Sequence, residues 1–211
     1  MGRAMFNSLF VSLVTLILTL LLGALASYAL SRFQFKLKGP ILAALLLGML
    51  IPIHSTLVPL FIMLNQIQLL DTYWAMILPY FSFEFSIAVF LLYAFMSGLP
   101  KEMEEAATID GSGYWGIFIR IMFPLSMPTL STVAVIAFLR YWNEFAFALV
   151  FINDSNLKTL PLSLSVFSDG YSTNYSLTLA AMAVSVVPVI VLFLLMQERI
   201  MKGMVAGAVK G

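Results

Sequence analysis

Three long stretches of this sequence, residues 4–31, 39–70 and 170–197, contain no Asp, Glu, Lys or Arg. A helix needs about 20 consecutive, predominantly apolar residues to cross the hydrocarbon core of a bilayer, and each stretch is long enough. The whole chain is 62% hydrophobic and 10% charged, whereas a soluble domain is roughly 45–50% apolar and 25% charged. These features exclude an ordinary soluble enzyme and predict an all-α, polytopic membrane protein.

About five membrane-spanning helices fit into residues 1–211 as a single transmembrane domain. Besides the charge-free stretches, one apolar region contains only Glu84, and another contains Arg140 and Glu144. The predicted spans are residues 8–29, 40–64, 74–96, 127–150 and 176–196.

The distribution of Lys and Arg predicts which loops face the cytoplasm, because cytoplasmic loops carry an excess of both residues. Arg3 and Lys158 fall on one side of the predicted topology. The other side holds eight of the 11 basic residues, which are Arg32, Lys36, Lys38, Lys101, Arg120, Arg199, Lys202 and Lys210. We therefore expect the 32–39 loop, the 97–126 segment and the C-terminus in the cytoplasm. Five spans then place the N-terminus outside, which suggests that a first span is missing.

Composition also limits the chemistry that this chain can perform. It contains no Cys and one histidine, His54, so thiolate ligands are absent and the commonest metal ligand occurs once. The net charge of +1 offers no broad basic surface for nucleic acid. We therefore expect no catalytic residues, no metal site and no nucleic-acid partner, and we interpret His54 as a polar group in helix packing.

The most polar internal segment, residues 98–124, reads GLPKEMEEAATIDGSGYWGIFIRIMFP. Pro100 and three nearby glutamates are typical of a helix start, and Gly111 falls where a left-handed helix cap is expected. An apolar stripe at i, i+3, i+4 and i+7 follows, and Pro124 is expected to end it; the stripe comprises Trp115, Phe118, Ile119 and Met122. The pattern predicts two short cytoplasmic helices with a glycine elbow. They either dock a soluble partner or lie on the membrane surface.

The same segment resembles a known motif. Glu105-Ala106-Ala107, Gly111, Ile121 and Phe123-Pro124 have the spacing of the "EAA" coupling loop in permeases of ATP-binding-cassette (ABC) importers, although Phe123 replaces the usual Leu. Further segments resemble the maltose-type carbohydrate permeases, namely Asn7-Ser8-Leu9, residues 28–32 (YALSR), residues 142–145 (WNEF), Thr159-Leu160-Pro161 and residues 205–211.

The resemblance implies a permease subunit of a sugar importer in a bacterial or archaeal plasma (inner) membrane. Its partners would be a second homologous permease, two copies of an ATPase subunit and an extracytoplasmic sugar-binding protein. ATP and Mg²⁺ would bind the ATPase, and this chain has no Gly-x4-Gly-Lys-Ser/Thr loop of its own. Family members normally carry one more N-terminal span. The implied coupling residues are Glu105, Ala106, Ala107, Gly111, Ile121 and Pro124, of which Glu105 would pair with a basic residue of the ATPase.

A second candidate site lies in the predicted fourth span, where Arg140, Trp142, Asn143 and Glu144 cluster. Arg140 and Glu144 are four residues apart, so we expect them to share a helix face and to pair along a translocation path. If the helix ends earlier, they are interfacial instead. Trp142 suits either a wall on which a sugar stacks or an aromatic belt.

Two other functions compete with import driven by a separate ATPase. A self-contained secondary transporter typically has internal repeats, and none is evident here. An intramembrane enzyme needs a set of reactive groups, which this composition hardly supplies.

Overall fold

The computed structural model describes residues 1–165 and positions 179, 182–183, 185–191 and 193–194. Every regular element assigned within these residues is helical, which confirms the predicted all-α fold. In chain order the elements are α1 Gly2–Arg32, α2 Lys38–Met49, a 3-10 turn Ile53–Thr56, α3 Leu57–Gln66, α4 Tyr73–Ser97, α5 Glu102–Ile109, α6 Tyr114–Ile117, a π-helical turn Phe118–Met122, α7 Phe123–Leu125, α8 Met127–Asn143, α9 Ala146–Phe151 and α10 Leu160–Ser165.

Two helices, α1 and α4, are each long and apolar enough to cross a membrane. They contain 31 and 25 residues and agree with the predicted spans 8–29 and 74–96. Two bent helix pairs pass the same test only when each pair is taken as one span, so the described residues hold two to four candidate spans. Part of the predicted span 176–196 lies outside the described residues, as do the cations Arg199, Lys202 and Lys210.

The buried face of α1 consists largely of small and polar side chains. Its fully or nearly fully buried members recur every three or four residues and are Ser8, Ser12, Thr15, Thr19, Gly23 and Ser27. Small residues let membrane helices approach closely. A Cβ atom on Gly23 would lie 3.3 Å from the Cβ of Ala88 in α4, and Ser27 Oγ donates to the carbonyl of Val89 at 3.1 Å. α1 therefore packs tightly against α4 along this stripe.

The predicted span 40–64 is wrong as one continuous helix. α2 ends at Met49, and the 53–66 helical stretch meets it at 95°. The break falls at Pro52, which has no backbone N–H with which to continue a helix. Ser55 and Thr56 donate their hydroxyls to the carbonyls of Pro52 and Ile53 at 2.7 and 2.6 Å, so side chains satisfy backbone acceptors that the break leaves open.

The predicted span 127–150 is also interrupted, because α8 ends at Asn143 and Glu144 is extended. The Glu144 carboxylate accepts from the backbone N–H groups of Phe147 at 2.8 Å and Ala148 at 3.3 Å. A helix start leaves such N–H groups without intrahelical partners, so Glu144 favours the beginning of the separate helix α9.

Pro124 does not end the helix before it, contrary to the sequence interpretation. The chain stays helical through Leu125, and the 69° bend separates residues 114–125 from α8. Ser126 lies at this bend, and its hydroxyl donates to the carbonyl of Met122 at 2.7 Å. The π-helical turn Phe118–Met122 precedes the bend, so the 3.6-residue period assumed for this stretch does not hold there.

Loops that the charge asymmetry assigns to one side of the membrane meet at one end of the structure. Arg32, at the end of α1, contacts the 98–124 segment through Glu104 and Leu99; we name this the Arg32 end. At the opposite end, Asn7 donates to the carbonyls of Asn156 and Lys158 at 2.9 and 3.0 Å. Asp71 lies at this end too, where it accepts from the N–H of Asp154, and we name this the Asp71 end.

Candidate functional site

The glycine elbow of the 98–124 segment has the predicted backbone conformation. Gly111 has φ of 82°, in the left-handed region that costs little for glycine. Its N–H bonds to the carbonyl of Thr108 at 3.0 Å, and the N–H of Ser112 bonds to the carbonyl of Ala107 at 2.9 Å. This pair of bonds is a Schellman cap, and it fixes where α5 ends and where the chain turns toward α6.

The helix before the elbow, α5, has no buried residue. Glu105 and Ala106 are exposed and Ala107 is half-buried, and Ile109 at its end is 86% exposed. Beyond the elbow Ile121 is half-buried and Pro124 is exposed. The structure thus brings Glu105, Ala106 and Gly111 together on one accessible surface at the Arg32 end.

The apolar stripe that follows the elbow divides between two environments. Phe118 and Met122 are buried, whereas Trp115 and Ile119 are 68% and 60% exposed. The stripe therefore does not pack as a whole against the chain's own helices. Ile109 before the elbow and Trp115 and Ile119 after it are thus exposed apolar side chains, which we name the apolar patch.

The predicted pair between Arg140 and Glu144 does not form. Arg140 Nη1 instead lies 3.2 Å from Oε2 of Glu84 on the neighbouring helix α4. The Arg140 side chain is 58% exposed and that of Glu84 only 4%. Because α8 ends at Asn143, Glu144 has left the helix face on which an i, i+4 partner would lie.

Glu144 takes part in a separate polar network inside the bundle. Besides the two N–H groups of α9, its carboxylate accepts a hydrogen bond from the Tyr80 hydroxyl. The Tyr80 ring stacks on Tyr141 with centroids 5.9 Å apart, and the Tyr141 and Thr19 hydroxyls are 2.9 Å apart. The network joins α1, α4 and α8 at the level of the α8–α9 break.

The four residues proposed for a translocation path therefore lie on two different faces. Arg140 and Asn143 are exposed and lie on the face of α8 that also carries Thr129, Thr132 and Ile136. Trp142 is 2% exposed, and its indole N–H donates to the carbonyl of Ser185 at 3.0 Å. Trp142 and Glu144 thus act within the bundle in this structure.

The Asp71 end contains polar contacts that the sequence interpretation missed. Asp71, whose φ is 55°, accepts from the N–H groups of Asn153 and, at 2.8 Å, Asp154. The N–H of Asp154 contributes most to holding the pKa of the Asp71 carboxyl below its ordinary value. Tyr73 donates to Asn7 Oδ1 at 2.8 Å. No sequence signal indicated these contacts, because the partners of Asp71 lie 82 and 83 residues away in the chain.

Within the described residues, no group of three or more His, Cys, Asp or Glu side chains is placed to hold a metal ion. Among the acidic groups near Arg140, Glu84 pairs with Arg140 itself, and Glu144 accepts a hydrogen bond from Tyr80. The two surfaces with functional potential are therefore the exposed side of the 98–124 segment and the exposed face of α8.

Comparison with known proteins decides the family. A family model described as "Binding-protein-dependent transport system inner membrane component" matches residues 19–205. The chain belongs to this family. The matched range includes the whole 98–124 segment, which confirms the resemblance drawn from its motif.

Relatives and a solved structure extend the assignment. This permease is 40% identical over 205 residues to the probable ABC transporter permease protein YurM of Bacillus subtilis (strain 168), covering 97% of this chain and 68% of that protein. It is 37% identical over 205 residues to the arabinooligosaccharides transport system permease protein AraQ of Halalkalibacterium halodurans, covering 97% and 73%. A bacterial ABC transporter involved in the import of alginate shares its fold, with a TM-score of 0.81, 19% identity and coverage of 93% and 74%.

The chain is thus a permease subunit of an ABC importer and not an enzyme, and in this family the ATPase is a separate subunit. The suggested absence of a first span stays a prediction.

Proposed function

We propose that this permease forms half of the pathway of a carbohydrate importer, beside a second, homologous permease. Relatives carry names that refer to oligosaccharides, namely arabinooligosaccharides for AraQ of Halalkalibacterium halodurans and melibiose, raffinose and stachyose for MelC of Bacillus subtilis. An extracytoplasmic binding protein delivers the sugar, and two copies of an ATPase bind below, each with ATP and Mg²⁺. The positive side of the charge distribution, which includes the C-terminus, faces the cytoplasm of a plasma (inner) membrane.

The coupling surface comprises Glu105, Ala106, Ala107, Gly111, Ile121 and Pro124. The observation that carries this proposal is that α5 buries no residue although a Schellman cap fixes its end. A helix with a defined orientation and an uncovered surface is suited to binding another protein. The apolar patch of Ile109, Trp115 and Ile119 extends the surface, and contiguous exposed apolar groups often mark interaction sites.

A helix lying on the lipid surface is the alternative for α5. Three glutamates in its first turn disfavour that alternative, because interfacial helices are typically rich in Lys and Arg on the polar face. A negative charge at Glu105 instead favours a basic partner surface.

The translocation path runs along the exposed face of α8, where Arg140 and Asn143 supply hydrogen-bond donors. An exposed arginine side chain within a membrane helix is costly in lipid, by roughly 2.5–3.5 kcal/mol on insertion scales. Facing the second permease or a water-filled path removes that cost. Guanidinium and amide groups can donate to sugar hydroxyls, while Trp142 and Glu144 support the same helix from inside the bundle.

Transport assays test the substrate class directly. The permease with its companion subunits is reconstituted into proteoliposomes, and uptake of radiolabelled raffinose, trehalose and an arabinooligosaccharide is compared with uptake of methionine. We expect ATP-dependent uptake of at least one carbohydrate and none of methionine. Uptake of the amino acid alone, or of no carbohydrate by an importer that hydrolyses ATP, would overturn the carbohydrate proposal.

A further inference from the structure

Arg32, the last residue of α1, contacts both the coupling helix α5 and the connection that leads into it. Its guanidinium forms an ion pair with the Glu104 carboxylate and donates from Nη2 to the carbonyl of Leu99 at 3.2 Å. The side chains of Arg32 and Glu104 are 7% and 15% exposed. An ion pair so shielded from water is screened by salt much less than a pair on an open surface.

The other arm of the elbow is attached to the same turn of α1. The Tyr28 hydroxyl donates to the carbonyl of Tyr114 at 3.4 Å, and the Phe33 and Tyr114 rings meet edge to face with centroids 5.1 Å apart. The rings of Tyr28 and Phe118 are 5.3 Å apart. Both helices that flank Gly111 are therefore held at the Arg32 end of one long helix.

We propose that Arg32 is a positioning residue that makes α5 move with α1. Residues 98–101 connect α5 covalently to α4, and α4 packs closely on the small-residue stripe of α1. The Arg32–Glu104 pair completes a closed arrangement of α1, α4 and α5. Without the pair, α5 is free to pivot between the 98–101 connection and Gly111. Movement of the ATPase then rotates α5 alone and does not move the membrane-spanning helices.

This inference rests on the proposed coupling function, and it adds a residue that touches neither ATPase nor sugar. The Arg32 side chain is 7% exposed, whereas Glu105 is exposed, so Arg32 itself offers little surface to a partner. Its substitution is expected to leave ATPase binding intact and to change only how much transport accompanies each ATP hydrolysed.

Charge exchange tests the proposal. Arg32→Glu and Glu104→Arg are each reconstituted with the companion subunits, and the ratio of sugar imported to ATP hydrolysed is measured. Energetic coupling between two sites of a protein typically changes the affected quantity about 5–150-fold. We therefore expect each single change to lower the ratio of sugar imported to ATP hydrolysed by about tenfold. The double exchange Arg32→Glu/Glu104→Arg restores the ion pair and is expected to recover most of the ratio. Glu102→Arg reverses an exposed charge in the same turn of α5 and serves as the control with an unchanged ratio.

Glu104→Gln keeps the shape of the side chain and addresses variants that fail to accumulate in the membrane. It is expected to lower the ratio with normal amounts of permease and bound ATPase. A wild-type ratio in Glu104→Gln, or equal ratios in the singles and the double exchange, would overturn the role of Arg32. Binding of the ATPase to the Glu105→Arg variant is measured separately. If that variant binds the ATPase as the wild type does, the proposed coupling surface itself is refuted.

Discussion

Arg140 and Glu84 form an ion pair across two membrane helices, with Nη1 and Oε2 3.2 Å apart. The pair is asymmetric, because the Arg140 side chain is 58% exposed while that of Glu84 is 4% exposed. Glu84 Oε1 is buried, and none of the residues that the structure describes forms a hydrogen bond with it. The carboxylate therefore depends on Arg140, and Arg140 in turn is held with its guanidinium toward the uncovered face of α8.

A double-mutant cycle distinguishes this pair from the Arg140–Glu144 pair expected from sequence. We predict that Arg140→Met and Glu84→Gln each lower sugar uptake and thermal stability in detergent. The loss in the double variant should be smaller than the sum of the losses in the two single variants. Removing one partner leaves the other as an unpaired charge, which typically costs about 3–5 kcal/mol when the pair is fully buried. The cost is expected to be smaller here, since Arg140 is partly exposed. The observed pairing would be contradicted if the effects of substituting Arg140 and Glu84 were additive while the effects of substituting Arg140 and Glu144 were strongly coupled.

Two neighbouring glycines provide a matched test of the elbow. Gly111→Ala forces a Cβ atom into the left-handed conformation, which costs roughly 1–2 kcal/mol. Gly113→Ala places its Cβ in open space at φ of −77°, where no strain arises. We predict normal membrane insertion in both and reduced transport only in Gly111→Ala, measured as uptake per permease. Equal uptake in the two variants would remove the backbone conformation of Gly111 from the coupling mechanism.

Glu144 is expected to stabilise the fold through the start of α9. Glu144→Ala removes the acceptor for two backbone N–H groups and for Tyr80, and loss of a helix-capping group costs about 0.5–2 kcal/mol. Asn143→Ala, one residue earlier on the exposed face, serves as the control. The midpoint temperature of thermal unfolding in detergent should fall clearly for Glu144→Ala and only slightly for Asn143→Ala. The reverse order would show that the Glu144 contacts do not stabilise α9.

The hydrogen bonds of Asp71 are expected to make a pH-dependent contribution to the stability of the fold. The pKa of its carboxyl is lowered, first by the hydrogen bond from the N–H of Asp154, from an ordinary 3.8. A lowered folded-state pKa stabilises the fold above the ordinary value and loses that effect as pH falls through the folded value. Asp71→Asn should therefore be less stable than the wild type at pH 6 and approach it below pH 3.8. Unfolding midpoints that differ equally at all pH values would contradict this account.

The charge-free stretch 4–31 predicted α1, and the apolar region around Glu84 predicted α4, because the thickness of a bilayer constrains helix length directly. Such patterns did not predict the break at Pro52 or at Glu144, since hydropathy reports burial in lipid and not backbone continuity. The end of α8 at Asn143 depends on contacts of Glu144 with Tyr80 and α9, which only the tertiary structure brings together.

At the candidate site, the sequence predicted the local features and missed the long-range ones. Gly111 was predictable because a Schellman cap is encoded within a few residues. The partners of Arg32 and Arg140 are 72 and 56 residues away in the sequence, where spacing carries no information. The sequence interpretation did not use the small residues from Ser8 to Ser27, although their recurrence every three or four positions is a pattern that indicates close helix packing.

We propose above all that the exposed surface of α5 binds the ATPase of the importer. Copurification of the ATPase with affinity-tagged permease tests it most directly, comparing Glu105→Arg with Glu102→Arg. Both glutamates are exposed in the first turn of α5, so both variants change the net charge equally. We predict that Glu105→Arg retains about tenfold less ATPase, equivalent to ~1.4 kcal/mol, and that Glu102→Arg retains nearly the wild-type amount. Equal retention in both variants, or a wild-type permease that carries no ATPase, would contradict the claim.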